Sequence, residues 1–323
     1  MRPACAAISC ALLLLAAAPG RAADAPTTIV VRAGKADSLS HGLAVQFAEA
    51  LAQGNNALTV QVEESQGSVR NIIDTLHRGG NYIFTAPPNL IVQARRGEKP
   101  FTRNARYRAI RTLFPIPPLT MHWLVRTDAG IRRFHDLAGK SFVPGAKASF
   151  SERQTVSALH VLGLDRRVQL IDIDPAGARA ALTGRQVAGE ALAGTVPLPA
   201  VTELAKAMPV RLLSLTHAEL TKVLAADDSL VAATIPKGTY PGQDEDVVSV
   251  ALPTGVYATT AMSDKTAYTI TKAFWSQKWA LGQRNPPWNS VSPASLATLG
   301  VRLHRGALRY YKEAGIKVPP GLR

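Results

Sequence analysis

Two turns built of small polar residues stand where this chain has the means to hold a charged guest. The first runs Ser65, Gln66, Gly67, Ser68; the second runs Gly145, Ala146, Lys147, Ala148, Ser149, Phe150, Ser151. Each joins a strand-like stretch to a helix-like one. A helix start leaves its first N–H groups unpaired and adds roughly half a positive charge from the aligned peptide dipoles. Such an end accepts carboxylate or phosphate, and Lys35 and Lys147 would add full charges. Taken alone, ordinary helix capping by Ser and Gly accounts for the same residues.

Other constellations carry less. Gly139-Lys140-Ser141 looks like the end of a phosphate loop, but Phe134 occupies the required glycine position and a strand follows instead of a helix. The seven histidines show no metal-ligand spacing, no G-x-S-x-G elbow occurs, and no nucleophile with a positioned partner can be assembled from spacing. No metal, no cofactor and no catalytic residue is expected. Arginines cluster at 95–96, 103, 106, 108, 111, 132–133 and 166–167, yet aromatics are only 6% of the chain and no nucleic-acid motif accompanies them. Solvated faces are the expectation, with an excess of charge that also favours acidic ligands or lipid headgroups. Asp244-Glu245-Asp246 lacks the ligand spacing of a calcium loop and reads as a turn or a partner-contact loop.

The elements that position the two turns alternate. Ile29 to Val31 reads as a strand; Leu43, Phe47, Ala50 and Leu51 then fall on one helix face ended by Gly54-Asn55. Leu58, Val60 and Val62 alternate as a strand, and Val69, Ile72, Ile73 and Leu76 follow at helical spacing, with Ser68 as the expected N-cap and Gly79-Gly80 as the stop. Further strands are expected at Tyr82 to Thr85, Met121 to Arg126, Ser141 to Pro144, Val168 to Ile173 and Val210 to Leu215. Ser149 and Glu152 read as a capping box, and Pro175 as a first helical residue. This β-α-β-α order argues for parallel-rich sheets covered by helices. If Met121 to Arg126 and Val247 to Thr259 both cross between domains, a ligand belongs in the cleft between them, beyond the carboxyl ends of strands.

Composition bounds the compartment. With 323 residues, 46% hydrophobic and no apolar run of roughly 18, the chain is expected to form about two domains and no bilayer span. Arg2, the apolar stretch from Ala4 to Ala18, and Gly20 and Ala22 match a secretory signal peptide cut after Ala22. Cys5 and Cys10 lie inside it, so the mature chain carries no thiol. Loss of Arg2 and Arg21 takes the net charge from +14 to +12, still strongly basic.

The run Gly238-Thr239-Tyr240-Pro241-Gly242-Gln243-Asp244-Glu245-Asp246-Val247, with Leu303-His304 and Gly306 through Glu313 near the end, resembles solute-binding proteins of the TAXI family, the extracytoplasmic receptors of TRAP transporters. Val125 to Ile131, Asp136 to Lys140, Pro209 to Leu215, Gly67 to Val69 and Asn71 also fit, so the likeness spans residues 29 to 315. It implies an α/β type II periplasmic-binding-protein fold: lobe 1 from residues 23–122 and 255–323, and lobe 2 from 123–254. It also implies a monomer that closes on a small organic anion, an amino acid or carboxylate, and delivers it to a TRAP-type membrane permease. Gly34, Ser38, Ser65, Gly67 and Ser68 on one lobe, and Gly145, Lys147, Ser149, Phe150 and Ser151 on the other, become the ligand cradle. Where the family has a glycine-rich turn with a tyrosine pair, this chain has Ala33 to Ser40, so an aromatic wall is expected to be missing. The rival readings are a non-transport ligand-presenting or envelope-binding protein, and an enzyme on the same fold.

Overall fold

The computed structural model describes residues 27–323, so the expected signal peptide lies outside the described residues. The chain starts in alternation: β1 (Thr27–Arg32), α1 (Leu39–Gly54), β2 (Leu58–Glu63), α2 (Ser68–Asp74), β3 (Tyr82–Ala86) and α3 (Pro88–Arg96). β1 pairs in parallel with both β2 and β3, as the intervening helices require. Then β4 (Ile110–Arg126) runs out of this unit, and a second alternation follows. It comprises β5 (Ser141–Val143), α4 (Phe150–Val161), β6 (Gln169–Leu170), α5 (Pro175–Thr183), β7 (Gly189–Gly194), α6 (Pro199–Ala207), β8 (Val210–Leu212), α7 (His217–Ala226) and β9 (Val231–Ile235). The return strand β10 (Val247–Thr259) leads to α8 (Asp264–Arg284) and α9 (Arg305–Glu313).

One sheet threads both units in the order β2-β1-β3-β10-β4-β7-β5-β6, with β8 beside β4 and β9 beside β10. β4 and β10 are antiparallel, and each serves both halves. Burial divides in the same way. Phe47, Phe114, Phe274 and Trp288 pack under α1 and α8, while Tyr82, Phe84 and Tyr257 pack on the opposite face of that half. Trp123, Phe134 and Phe142 form one cluster of the other half, and Leu124, Leu182 and Tyr240 another. Among the described residues no cluster mixes the two halves; the change falls between Ile116 and Met121 on β4 and between Val250 and Val256 on β10. Among the described residues no helix is long and apolar enough to cross a membrane.

Local chemistry sets several boundaries apart from the expected ones. β4 starts at Ile110 instead of Met121, because Pro115 sits opposite Gly255 while Pro117 and Pro118 fall in the register break between the Ile116–Thr254 and Leu119–Leu252 pairs. Proline lacks an N–H, and a break in the ladder is where none is needed. The helix expected to run on to Gly79-Gly80 stops at Asp74: Thr75 N–H and its Oγ1 both donate to Ile72 O, tightening the last turn. The strand expected over Val168 to Ile173 is only Gln169–Leu170.

Candidate functional site

The two polar turns lie at the carboxyl ends of β2 and β5, one in each half. In the first, Ser65 is buried, and its hydroxyl donates to Ala33 O at 3.1 Å and accepts from Gly67 N–H at 3.0 Å. Ser65 N–H donates to Gly34 O, which ties this turn to the one after β1. Gly34 is held by crowding: a Cβ there would stand 2.4 Å from the hydroxyls of Ser38 and Ser40. Ser38 caps α1, accepting from His41 N–H at 3.2 Å. The cap of α2 is Gly67, not Ser68, because Gly67 at φ 102 swings the chain so that Ser68 is already helical. The Ser68 hydroxyl, half-buried, is thereby left without a partner among the described residues, and the N–H groups of Ser68, Val69 and Arg70 meet no acceptor among them either. Behind them Asn71 is wholly buried, its amide donating to Ala33 O at 2.7 Å and Thr85 O at 3.2 Å. Its own Oδ1 and the hydroxyl of Thr85 are buried and unpaired.

In the second turn Gly145, at φ 120, leaves no room for a side chain: a Cβ would lie 2.2 Å from Ser151 Oγ and 2.9 Å from Glu152 N. Ser149 caps α4 by accepting from Glu152 N–H at 3.1 Å, and shares a hydrogen bond with Ser151 at 2.9 Å. The reciprocal arm of the expected capping box is absent, since the Glu152 carboxylate accepts from Ala148 N–H instead of Ser149 N–H. Phe150 packs on the lobe core around Trp123 and Leu159. Lys147 is exposed and stands 3.4 Å from the Asp172 carboxylate, so its charge is partly met. Among the described residues the Phe150 and Ser151 N–H groups find no acceptor.

A cavity of about 530 Å³ opens against the middle of β4 and β10, and none of the ten cradle residues lines it. Pro115, Ile116, Pro118 and Thr120 come from β4, and Ala251, Pro253 and Thr254 from β10; Val196-Pro197, at the exit of β7, faces Asn289, Ser295 and Thr298 from the 3-10 turns before α9. Its walls thus belong to both halves, and among the described residues the lining holds no charged side chain. The Val196–Pro197 peptide is cis.

One hydrogen-bonded chain fixes that wall. Tyr240 accepts from Leu198 N–H at 2.8 Å, and His122 Nε2 lies 2.8 Å from the same hydroxyl; His122 Nδ1 lies 3.1 Å from Thr120 O. Burial pushes the His122 pKa down from 6.5 to about 4 and the Tyr240 pKa up to about 12. Burial also raises the Glu190 carboxyl on β7, with Arg179 opposing. None of this chain was identifiable as such from spacing, because its members are residues 120, 122, 198 and 240. The one available signal was the Gly238 to Val247 run that carries Tyr240. That run builds the β9–β10 turn, with Gly238 and Gly242 at φ 76 and 75, and Gln243 Nε2 donating to Ile235, Pro236 and Glu245 carbonyls.

The chain is similar to solved solute-binding proteins over most of its length. A TctC solute-binding protein from Polaromonas aligns with a TM-score of 0.53 at 11% identity, covering 89% of this chain and 98% of that chain. MatC from Rhodopseudomonas palustris, solved with bound malate, aligns with a TM-score of 0.50 at 13% identity, covering 88% and 98%. Likeness at such identity speaks for architecture: the α/β fold is that of the two-lobed periplasmic solute-binding proteins. Residues 39–315 match a family model across both lobes and both crossing strands, and by that match the chain belongs to the NMT1-like family.

Proposed function

We propose that this protein is an exported solute receptor that captures a small organic anion between its lobes and hands it to a TRAP-type permease, as a TAXI-like member of its fold class. In this reading residues 23–122 and 255–323 move against 123–254 about β4 and β10, a signal peptide ending at Ala22 delivers the chain to the periplasm, and a monomer binds without transforming its guest. The observation that carries it is the cavity of about 530 Å³ walled by both halves on the crossing strands, within the usual range for a small-molecule site. Separately from that cavity, whose lining they do not join, the N–H groups of Ser68 to Arg70 and of Phe150 and Ser151 meet no acceptor among the described residues and suit an anionic guest.

A thermal-shift screen over amino acids, dicarboxylates and keto acids tests the reading. Ligand at about 1,000 times its Kd would stabilise the fold by about 4 kcal/mol. Ser68→Ala separates binding from capping: its free hydroxyl predicts a change in melting within about 0.5 kcal/mol, whereas Ser149→Ala loses a cap and about 1 kcal/mol. Flat melting curves with every carboxylate would defeat the anion reading. The uncharged lining of the cavity favours a second reading, an uncharged guest, for which amides and alcohols in the same screen would give the shifts instead.

A further inference from the structure

Away from the cavity and the two turns, lobe 1 gathers arginines that no acid meets. Arg95 lies in the last turn of α3, and Arg111 is the second residue of β4. Their guanidinium groups converge on one carbonyl: Arg95 Nη2 and Arg111 Nη1 each donate to Ile110 O at 2.9 Å. Arg95 Nε also reaches Tyr107 O at 3.4 Å, and Arg111 Nη1 reaches Arg108 O at 2.6 Å, so both side chains are held in place by main-chain oxygens. Arg302 is brought alongside by the segment before α9. Thr112 N–H donates to Arg302 O at 2.9 Å, Thr112 Oγ1 to Val301 O at 2.7 Å, and His304 N–H to Thr112 O at 2.9 Å.

The Arg302 main chain thus lies beside Thr112, the neighbour of Arg111. Burial first, then repulsion from Arg111 and Arg302, lowers the pKa of Arg95, and burial first, then repulsion from Arg302, lowers that of Arg111. The neighbouring acids are engaged elsewhere: Glu98 with Arg96, and Asp264 with Arg305 and His304. Among the described residues, Arg95, Arg111 and Arg302 have no ion pair, nor have Arg103, Arg106 and Arg108 in the adjoining loop and turn. A guanidinium carries five N–H donors in a planar fork, and the main-chain bonds use only a minority of them here. The remaining donors suit a tetrahedral oxyanion, which arginine grips in bidentate fashion.

We propose that Arg95, Arg111 and Arg302 form a binding site for a phosphate group, outside the inter-lobe cleft and independent of the transported solute. The group is either free phosphate or the headgroup of an anionic phospholipid, and the experiment separates the two sources. Calorimetry with inorganic phosphate and pyrophosphate, and co-sedimentation with phosphatidylglycerol vesicles against phosphatidylcholine vesicles, would be run on the mature full chain. Arg302→Gln and Arg111→Gln would be compared with Arg166→Gln/Arg167→Gln, which removes exposed charge from the other lobe.

Binding of inorganic phosphate that falls about tenfold in Arg302→Gln, but less than about twofold in the control, supports the site with a soluble source. Vesicle binding that falls in the same pattern while phosphate alone does not bind supports it with a lipid source. Arg302 is exposed and makes no side-chain bond among the described residues, so its variant tests the site even if Arg111→Gln fails to fold. No binding of either probe, or losses in the control equal to those in Arg302→Gln, would overturn the proposal. Carboxylate-induced thermal shifts unchanged in Arg302→Gln would set its outcome apart from that of the solute reading.

Discussion

Acidification is expected to weaken the inter-lobe wall through a single histidine. His122 is 1% exposed on β4. Tyr240 already accepts from Leu198 N–H, so its own hydroxyl proton goes to His122 Nε2, and the neutral ring keeps its proton on Nδ1, aimed at Thr120 O. A second proton, on Nε2, would face the Tyr240 hydroxyl donor to donor. Burial is what lowers the His122 pKa from 6.5 to about 4. A histidine depressed in the fold contributes its full stability above pH 6.5, where neither state is charged. It loses that contribution between pH 6.5 and about 4, as the unfolded chain takes up the proton first. At about 1.4 kcal/mol per unit the loss by pH 4 is about 3 kcal/mol.

Urea denaturation of the wild type and of His122→Gln at pH 7, 5.5 and 4 measures it. The variant starts less stable at pH 7, having lost a fitted ring, and then falls by about 3 kcal/mol less than the wild type on the way to pH 4. Other acid-sensitive groups, His304 among them, act on both chains alike, so the difference between the two slopes isolates His122. Equal slopes would refute the reasoning, as they would mean that the ring is charged, or free to be charged, in the folded state.

Three further outcomes follow from the same geometry. Tyr240→Phe strands both Leu198 N–H and His122 Nε2, and is expected to cost about 2–4 kcal/mol in urea denaturation at pH 7, with any solute affinity weakened alongside. Gly145→Ala forces a Cβ against Ser151 and Glu152 at φ 120 and is expected to cost about 1–3 kcal/mol or more; an unchanged melting temperature would show that the turn is free to relax. Glu190→Gln is expected to raise the melting temperature at pH 7 but hardly at pH 4. A buried carboxyl with a raised pKa binds its proton more tightly folded than unfolded, so the wild type loses stability as pH climbs above the ordinary glutamate range.

What was legible in the chain was whatever depends on near neighbours. Ser149 before α4 and Pro175 at the start of α5 act through atoms within four residues, and both stand where the local pattern puts them. The alternating order of strands and helices, and with it the two-lobed architecture, is local in the same sense. Even there a single backbone angle displaces a role: φ 102 at Gly67 moves the cap off Ser68 and leaves its hydroxyl unpaired.

The inter-lobe cavity is of another kind. Its walls come from residues 115–120, 196–197, 231–239, 251–254 and 286–298, which meet only because β4 and β10 cross side by side. The prolines that hide β4 from a strand-seeking eye are part of that wall: Pro117 and Pro118 interrupt the ladder opposite Pro253, and Pro118 and Pro253 both line the cavity. A strand pair without bonds at its midpoint resists bending less than a continuous ladder, and here the gap coincides with the place where one lobe ends and the other begins. The residues that made β4 illegible are therefore the ones that give the crossing strands their weakest point, and substitution of Pro117 and Pro118 together by Val is expected to stiffen lobe motion. Smaller ligand-induced changes in small-angle scattering would register that stiffening, and unchanged ones would place the hinge elsewhere.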